Sequence, residues 1–177
     1  MADQGWLSVS MPYVTAGASD AWKAEAAAGG GVGSQRLLEV AEVVAPAEVA
    51  AALGVEPGGM VVMRRRLMLF DDRPVELADS YYPLAVARGT ALAEPKKIRG
   101  GAVALLTELG YRPRHTAEDV YAREPTDEER KVLALGGHRW VLGLTRLLTA
   151  EDGMPVEVSI MTMVAEGRRL RYEMAID

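Results

Sequence analysis

The chain has 177 residues, 49% of them hydrophobic and 25% charged, which is enough apolar material for one buried core and too much for a disordered chain. A net charge of -5 has the wrong sign for a chain that grips nucleic acid by itself. The absence of cysteine, with His115 and His138 as the two histidines, excludes disulfides, thiolate metal sites, cysteine nucleophiles and histidine-rich metal centres.

Residues 1–34 read as a linker or N-terminal extension ahead of a domain over 35–177. They hold Gly29-Gly30-Gly31 and an alanine-rich stretch over 21–28 that predicts a short helix, opened by Ser19 or Asp20 as cap. Trp6 and Trp22 are unusual in a free linker, and are expected either to pack on the domain edge or to dock on a partner. Residues 36–45 predict a strand. Residues 46–53 predict a short helix, with Pro46 in its first turn and Gly54 past its end. Residues 60–70 predict a long strand, 71–74 an acidic turn, and 75–82 a returning strand stopped by Pro83. A loop through Gly89 and Pro95 reaches Gly100-Gly101, followed by a helix over 102–109 that Gly110 ends. Residues 111–123 are extended, with an interruption at Pro113. Thr126 and Glu129 form a capping box for a helix over 127–134. Strands follow over 140–150 and 155–164 around a turn at 151–153, with a last strand over 169–176. Strands outnumber helices and most are joined as hairpins, so the expected class is α+β with a mainly antiparallel sheet.

The chain also repeats itself. Leu53, Val55, Met60, Val61, Arg66 and Leu67 match Leu133, Leu135, Trp140, Val141, Arg146 and Leu147 at a spacing of 80. Beyond the turn the spacing is 81, and Pro74-Val75-Glu76 matches Pro155-Val156-Glu157. Either any two helix-plus-hairpin units look alike, or this is a helix–hairpin pseudo-repeat whose halves join about a local two-fold axis.

Side chains alternate across a strand. Met60, Val62, Arg64, Arg66 and Met68 therefore share one face, as do Trp140, Leu142, Leu144, Arg146 and Leu148. Arginine on an apolar face needs an anionic partner. The returning strands offer Glu76, Ala78, Ser80 and Tyr82, and Glu157, Ser159, Met161 and Met163. Guanidinium groups bind carboxylate or phosphate, carboxylates accept from hydroxyl or amino groups, and methionine gives adaptable walls. The set fits either a small polar ligand or a structural Arg–Glu network between the hairpins. Arg66 is expected to be largely buried and to face Glu76, Glu157 or a bound anion. Gly100-Gly101-Ala102 at a helix start, with Lys96, Lys97 and Arg99 upstream, is a second candidate element or an ordinary solvated loop. No Ser/His/Asp order, nucleophile elbow, dinucleotide fingerprint or phosphate-binding loop is found. No metal or cofactor is expected. No apolar run approaches ~18 residues and no signal peptide opens the chain, so no membrane span and a cytoplasmic location are expected.

Arg64-Arg65-Arg66, the run 71–83 (Asp-Asp-Arg-Pro-Val-Glu-Leu-Ala-Asp-Ser-Tyr-Tyr-Pro), Gly-Gly-Ala-Val-Ala-Leu-Leu over 100–106 and Asp-Gly-Met-Pro-Val-Glu-Val over 152–158 together resemble the UTRA domain. That domain is the effector-binding half of the HutC branch of GntR-type bacterial transcription regulators. The resemblance covers about residues 35–177. It implies a chorismate-lyase-like fold with the effector held inside, a homodimer, and operator DNA bound through a winged helix-turn-helix domain. Nothing in residues 1–34 can hold such a domain, so it is expected to be absent from this chain.

The resemblance places effector contacts at Arg64, Arg66, Glu76, Gly101, Ala102 and Glu157. The strand alternation adds Ser80, Tyr82 and Arg146. Members that bind sugar phosphates usually have a hydroxyl at the helix start, where this chain has Ala102, and often a tyrosine where it has Met163. Those departures point to a small, less polar anionic metabolite. A non-catalytic sensor is the leading expectation. A chorismate-lyase-like enzyme acting on a small anionic metabolite and a dimerisation module with a vestigial pocket are the alternatives, because fold does not decide function.

Overall fold

Hairpins whose strands are apolar on both faces must be covered on both faces. The computed structural model describes residues 6–17, 20–174 and 176. In chain order the elements are β1 (Trp6–Val9), α1 (Met11–Val14), α2 (Ala21–Ala28), β2 (Gly33–Val44), α3 (Ala47–Leu53), β3 (Met60–Phe70), β4 (Arg73–Pro83), α4 (Leu84–Ala87), a 3₁₀ turn at Ala91–Ala93, α5 (Ala102–Glu108), β5 (Pro113–Arg123), α6 (Asp127–Val132), β6 (Val141–Ala150), β7 (Pro155–Val164) and β8 (Arg168–Arg171). Six strands form one antiparallel sheet in the order β2-β3-β4-β7-β6-β5. β1 and β8 form a separate parallel pair.

The pseudo-repeat is visible in that order. Each half is a helix followed by a hairpin, α3-β3-β4 and α6-β6-β7, and the halves join through β4 and β7. Asp79 lies opposite Ile160 across the junction, and an offset of 81 residues equates the same two positions. A local two-fold axis therefore passes between them.

Alternation sorts the sheet into two covered faces. On one, Val61, Met63, Tyr81 and Val158 pack beneath Val49, Ala50 and Leu53 of α3. On the same face, Leu67, Leu69, Leu77 and Val141 pack beneath Leu133 at the end of α6. On the other face Val62, Tyr82, Leu148 and Val156 pack under α4, the 3₁₀ turn and α5, through Val86, Leu92 and Leu106. Local chemistry closes the connections. Gly54 caps α3 in the left-handed region at φ 67. Asp71 and Asp72 both have positive φ in the two-residue turn between β3 and β4, as a primed hairpin turn requires. Thr126 and Glu129 form the capping box at the start of α6.

Several element ends differ from expectation. The last strand starts at Arg168, ends at Arg171, and pairs with β1 instead of joining the large sheet. Pro83 is the last residue of β4, opposite Val61, and does not stand outside it. The strand expected from Trp140 starts at Val141. The helix over 127–134 stops at Val132, with Ala134 at φ 51. The loop after Pro83 contains α4 and the 3₁₀ turn.

Over its described residues the N-terminal segment lies against the domain. Ser19 and the side chain of Trp6 fall outside what the structure describes, and Asp20 caps α2 by accepting from Lys23 N at 3.3 Å. Trp22 is 4% exposed and packs with Ala26, Met68 and Val75. Its Nε1 donates to the carbonyls of Ser34 (2.9 Å) and Leu69 (3.2 Å). Gly33 is required beneath α2, because a Cβ there would stand 2.8 Å from that of Ala26.

Two outcomes follow from this packing. Trp22→Ala should lower the unfolding free energy by about 3–5 kcal/mol in a denaturant titration, and a loss below ~1 kcal/mol would show that α2 is not docked. Glu129 accepts from Arg123, Thr126 N and Thr162. Arg123 first, with Thr126 and Thr162, outweighs burial and holds its carboxyl down at about 2, against an ordinary 4.5. A carboxyl depressed in the folded state adds stability that is complete above its ordinary value and is lost as pH falls through its folded value. Between pH 4.5 and 2 the wild type should therefore lose stability more steeply than Glu129→Gln in acid-unfolding curves.

Candidate ligand site

Arg66 on the even-numbered face of β3, with Glu76 of β4, Arg146 of β6 and Glu157 of β7, lines a cavity of about 310 Å³. Its floor is Arg66, Met68, Glu76, Ala78, Leu144, Arg146, Glu157, Ser159, Met161 and Met163. Its cover comes from three places: Ser8, Ser10, Tyr13, Trp22 and Glu25 of the N-terminal segment, Lys97 and Ile98 with Gly100–Val103 before and in α5, and Arg168 and Leu170 of β8.

A hydrogen-bond chain crosses the floor at the β4–β7 junction. Arg66 Nη2 donates to Ser80 Oγ (3.1 Å), Ser80 Oγ lies 2.7 Å from Ser159 Oγ, and Ser159 Oγ donates to Glu157 Oε1 (2.7 Å). Each hydroxyl has one proton. Because Ser159 spends its proton on Glu157, Ser80 is the donor between the serines and accepts from Arg66. The guanidinium and the carboxylate are thus joined through two serine hydroxyls. Glu157 is 7% exposed, and its Oε2 accepts no hydrogen bond among the described residues. The Tyr82 hydroxyl lies beside Glu157. Burial, and then the Glu157 carboxylate, raise its pKa well above the ordinary phenol value.

The other charges in the cavity are already engaged. Arg146 Nε donates to Glu118 Oε1 (2.6 Å), directly opposite on β5, and its guanidinium lies 5.8 Å from the centre of the Tyr13 ring. Glu118 also accepts from Ser10 Oγ (2.8 Å). Burial raises the Glu118 pKa, but Arg146, Ser10 and Tyr172 together outweigh it and hold the carboxyl below its ordinary value. Arg168 Nη1 donates to Glu76 Oε2 (2.6 Å), with the Arg168 side chain 1% exposed. Glu25 accepts from Ser8 Oγ (2.6 Å) and Tyr13 hydroxyl (2.8 Å). Burial first, then Glu25, raises the Tyr13 hydroxyl far above the ordinary phenol range.

The structure brings seven of the ten expected residues to the cavity: Arg66, Glu76, Gly101, Ala102, Arg146, Glu157 and Met163. Ser80 and Tyr82 stand behind the lining, Ser80 as a link in the chain and Tyr82 as a buried side chain. Arg64 needs correction. It is 4% exposed but points under the 88–99 loop, where Nη1 donates to the carbonyls of Ala91 (3.3 Å), Leu92 (2.8 Å) and Glu94 (2.8 Å), and Nη2 to that of Lys96 (2.7 Å). Burial first, with Arg66 nearby, lowers its pKa. Arg66 is only half-buried and touches neither Glu76 nor Glu157 directly. Glu76 takes Arg168 instead. Arg168, Tyr13 and Glu25 were missed from the sequence. An unclaimed Glu76 on an apolar face called for a cation, but short parallel strands carry no register signal that would have named Arg168.

A six-stranded antiparallel sheet with a two-fold pseudo-repeat and a charged cavity over one face is the chorismate-lyase-like type of α+β domain. Comparison with known proteins gives the family. The UTRA domain model matches residues 28–167, and the chain belongs to that family. It is 36% identical over 130 residues to an uncharacterised HTH-type transcriptional regulator of Streptomyces coelicolor, covering 72% of this chain and 48% of that protein. A second such regulator, from Rhizobium meliloti, is 30% identical over 138 residues, covering 77% and 56%. The chain therefore spans about half the length of the curated relatives it matches. Among solved structures it is similar to the effector domain of PhnF from Mycobacterium smegmatis (TM-score 0.73, 19% identity, 88% of this chain and 94% of that one). It is also similar to the ligand-binding domain of a protein assigned to the GntR-family regulators in Bordetella bronchiseptica (TM-score 0.71, 24% identity, 81% and 91%).

The Arg64 contacts generate a further expected outcome. Arg64→Met removes a cation that holds four carbonyls. Hydrogen bonds to charged groups are worth about 1.5–3 kcal/mol each, so a loss of about 3 kcal/mol or more is expected in chemical denaturation. Amide exchange should accelerate in the 88–99 loop before the rest of the sheet. Uniform acceleration across all strands would contradict the clamp.

Proposed function

We propose that this chain is the effector-sensing and dimerisation domain of a bacterial GntR-type regulator of the HutC branch. Its effector is a small metabolite carrying an anionic group, and the domain does not catalyse a reaction. The observation that carries this is Arg66. It lines the cavity with a single hydrogen bond among the described residues, to a neutral hydroxyl. A guanidinium so placed suits the carboxylate or phosphate of a guest. DNA binding would belong to a winged helix-turn-helix domain outside this chain, since the chain carries net charge -5. The relatives named as HTH-type regulators support that division of labour, and a regulator of DNA would act in the cytoplasm. No helix among the described residues is long and apolar enough to cross a membrane. Self-association would give the two-fold symmetry that palindromic operators require.

Thermal melts against a panel of small anionic metabolites test the proposal. A ligand at ~100 times its dissociation constant should stabilise the protein by about 2.7 kcal/mol, and Arg66→Gln should abolish the shift while the variant still folds. Light scattering in the tens of micromolar, an order-of-magnitude choice, should give a dimer. Release of product from chorismate by the purified chain would overturn the non-catalytic reading in favour of the lyase alternative.

A further inference from the structure

We propose that the effector is zwitterionic: its anionic group meets Arg66 and a second, cationic nitrogen meets Glu157. This rests on the reading of the cavity as the effector site and goes beyond it by naming the charge class of the guest.

The charges of the cavity balance. Arg66, Lys97, Arg146 and Arg168 line it, and so do Asp20, Glu25, Glu76 and Glu157. Lys97 is paired with Asp20 at 3.4 Å, and Arg168 with Glu76 at 2.6 Å. Arg146 is taken by Glu118 from behind. Among the described residues this leaves one cation, Arg66, and two carboxylates, Glu157 and Glu25, without an ionic partner. Glu25 already accepts two hydroxyl hydrogen bonds, one on each oxygen. Glu157 lines the cavity and accepts from Ser159 on Oε1, while its buried Oε2 accepts no hydrogen bond among the described residues.

A guest with negative charge alone would satisfy Arg66 and leave that acceptor unmatched. It would also place an anion in a small space with two carboxylates that have no cationic partner among the described residues. Leaving a buried charged acceptor unmatched is costly, and like charges in such a space add to the cost. A guest with positive charge alone would leave Arg66 in the same position. A guest carrying both signs answers both groups at once. Spacing permits this, because Arg66 and Glu157 are only three hydrogen bonds apart through Ser80 and Ser159. The serine chain also fixes the two charged ends relative to each other, so the charge pair of the guest is matched in direction as well as in sign. Met161, Met163 and Leu144 provide an apolar wall for the carbon skeleton.

The test uses the whole chain and probes on shared carbon skeletons: α-amino acids and ω-amino acids from β-alanine to 6-aminohexanoate, the matching carboxylates without the amine, the matching amines without the carboxylate, and dicarboxylates. Melting shifts and calorimetric titrations should rank the aminocarboxylates first. Glu157→Gln should weaken the best aminocarboxylate about 10- to 100-fold, the range of one charge-assisted hydrogen bond, and should not weaken the matched plain carboxylate. Arg66→Gln should weaken both. If Glu157→Gln fails to fold, matched probe pairs on wild type decide alone. Plain carboxylates or dicarboxylates that bind as well as their amino partners, with loss on Arg66→Gln, would overturn the zwitterion and leave the sensing role standing. An aminocarboxylate indifferent to Glu157→Gln would also overturn it. A chain that no probe class stabilises would overturn both.

Discussion

The hydrogen-bonded junction between β4 and β7 is the constraint on which the rest of the domain depends. The two pseudo-equivalent halves meet in one sheet only along these strands, from Glu76 opposite Met163 to Tyr81 opposite Val158. A slip of one residue would turn every inward side chain outward. It would also separate Ser80 from Ser159, which stand directly across from each other. The register of the junction therefore sets two things at once: which apolar residues α3 and α6 cover, and whether Arg66 can reach Glu157 through the serines. Packing and the polar chain have a common origin here, so the chain does not need a separate scaffold to hold it.

Much of this was legible in the sequence because hairpins with alternating patterns declare their own faces. The repeated Pro-Val-Glu and the arginines among aliphatics marked the floor of the cavity without any three-dimensional information. What alternation cannot say is which neighbour lies above a face. Arg64 and Arg66 share one, two residues and roughly 7 Å apart. The carbonyls of the 88–99 loop close over the first, while the cavity opens over the second. Neither expected alternative described Arg64, which holds backbone carbonyls rather than a ligand or a glutamate. The cover was largely illegible for a different reason. β1 and β8 are four residues each and pair in parallel from opposite ends of the chain, and neither length nor periodicity predicts such a contact. The alanine-rich helix was visible, but its destination depended on Gly33 and Trp22 acting together.

The cover also differs in kind from the floor. The floor is a continuous sheet, whereas the N-terminal wall is held by Trp22 and by polar contacts that end on the ionic groups of the cavity. Ser10 reaches Glu118, the partner of Arg146, and Ser8 and Tyr13 reach Glu25. Tyr13 also sits against Arg146. A guest inside the cavity therefore shares its surroundings with the contacts that dock the N-terminal segment. Where two events draw on the same groups their free energies are linked, and each changes the other by the same amount. The docking of residues 6–17 and 20–28 and any occupancy of the cavity would thus be two readouts of one set of charges. The direction of the coupling depends on whether a guest completes the Tyr13–Arg146–Glu118 contacts or competes for them.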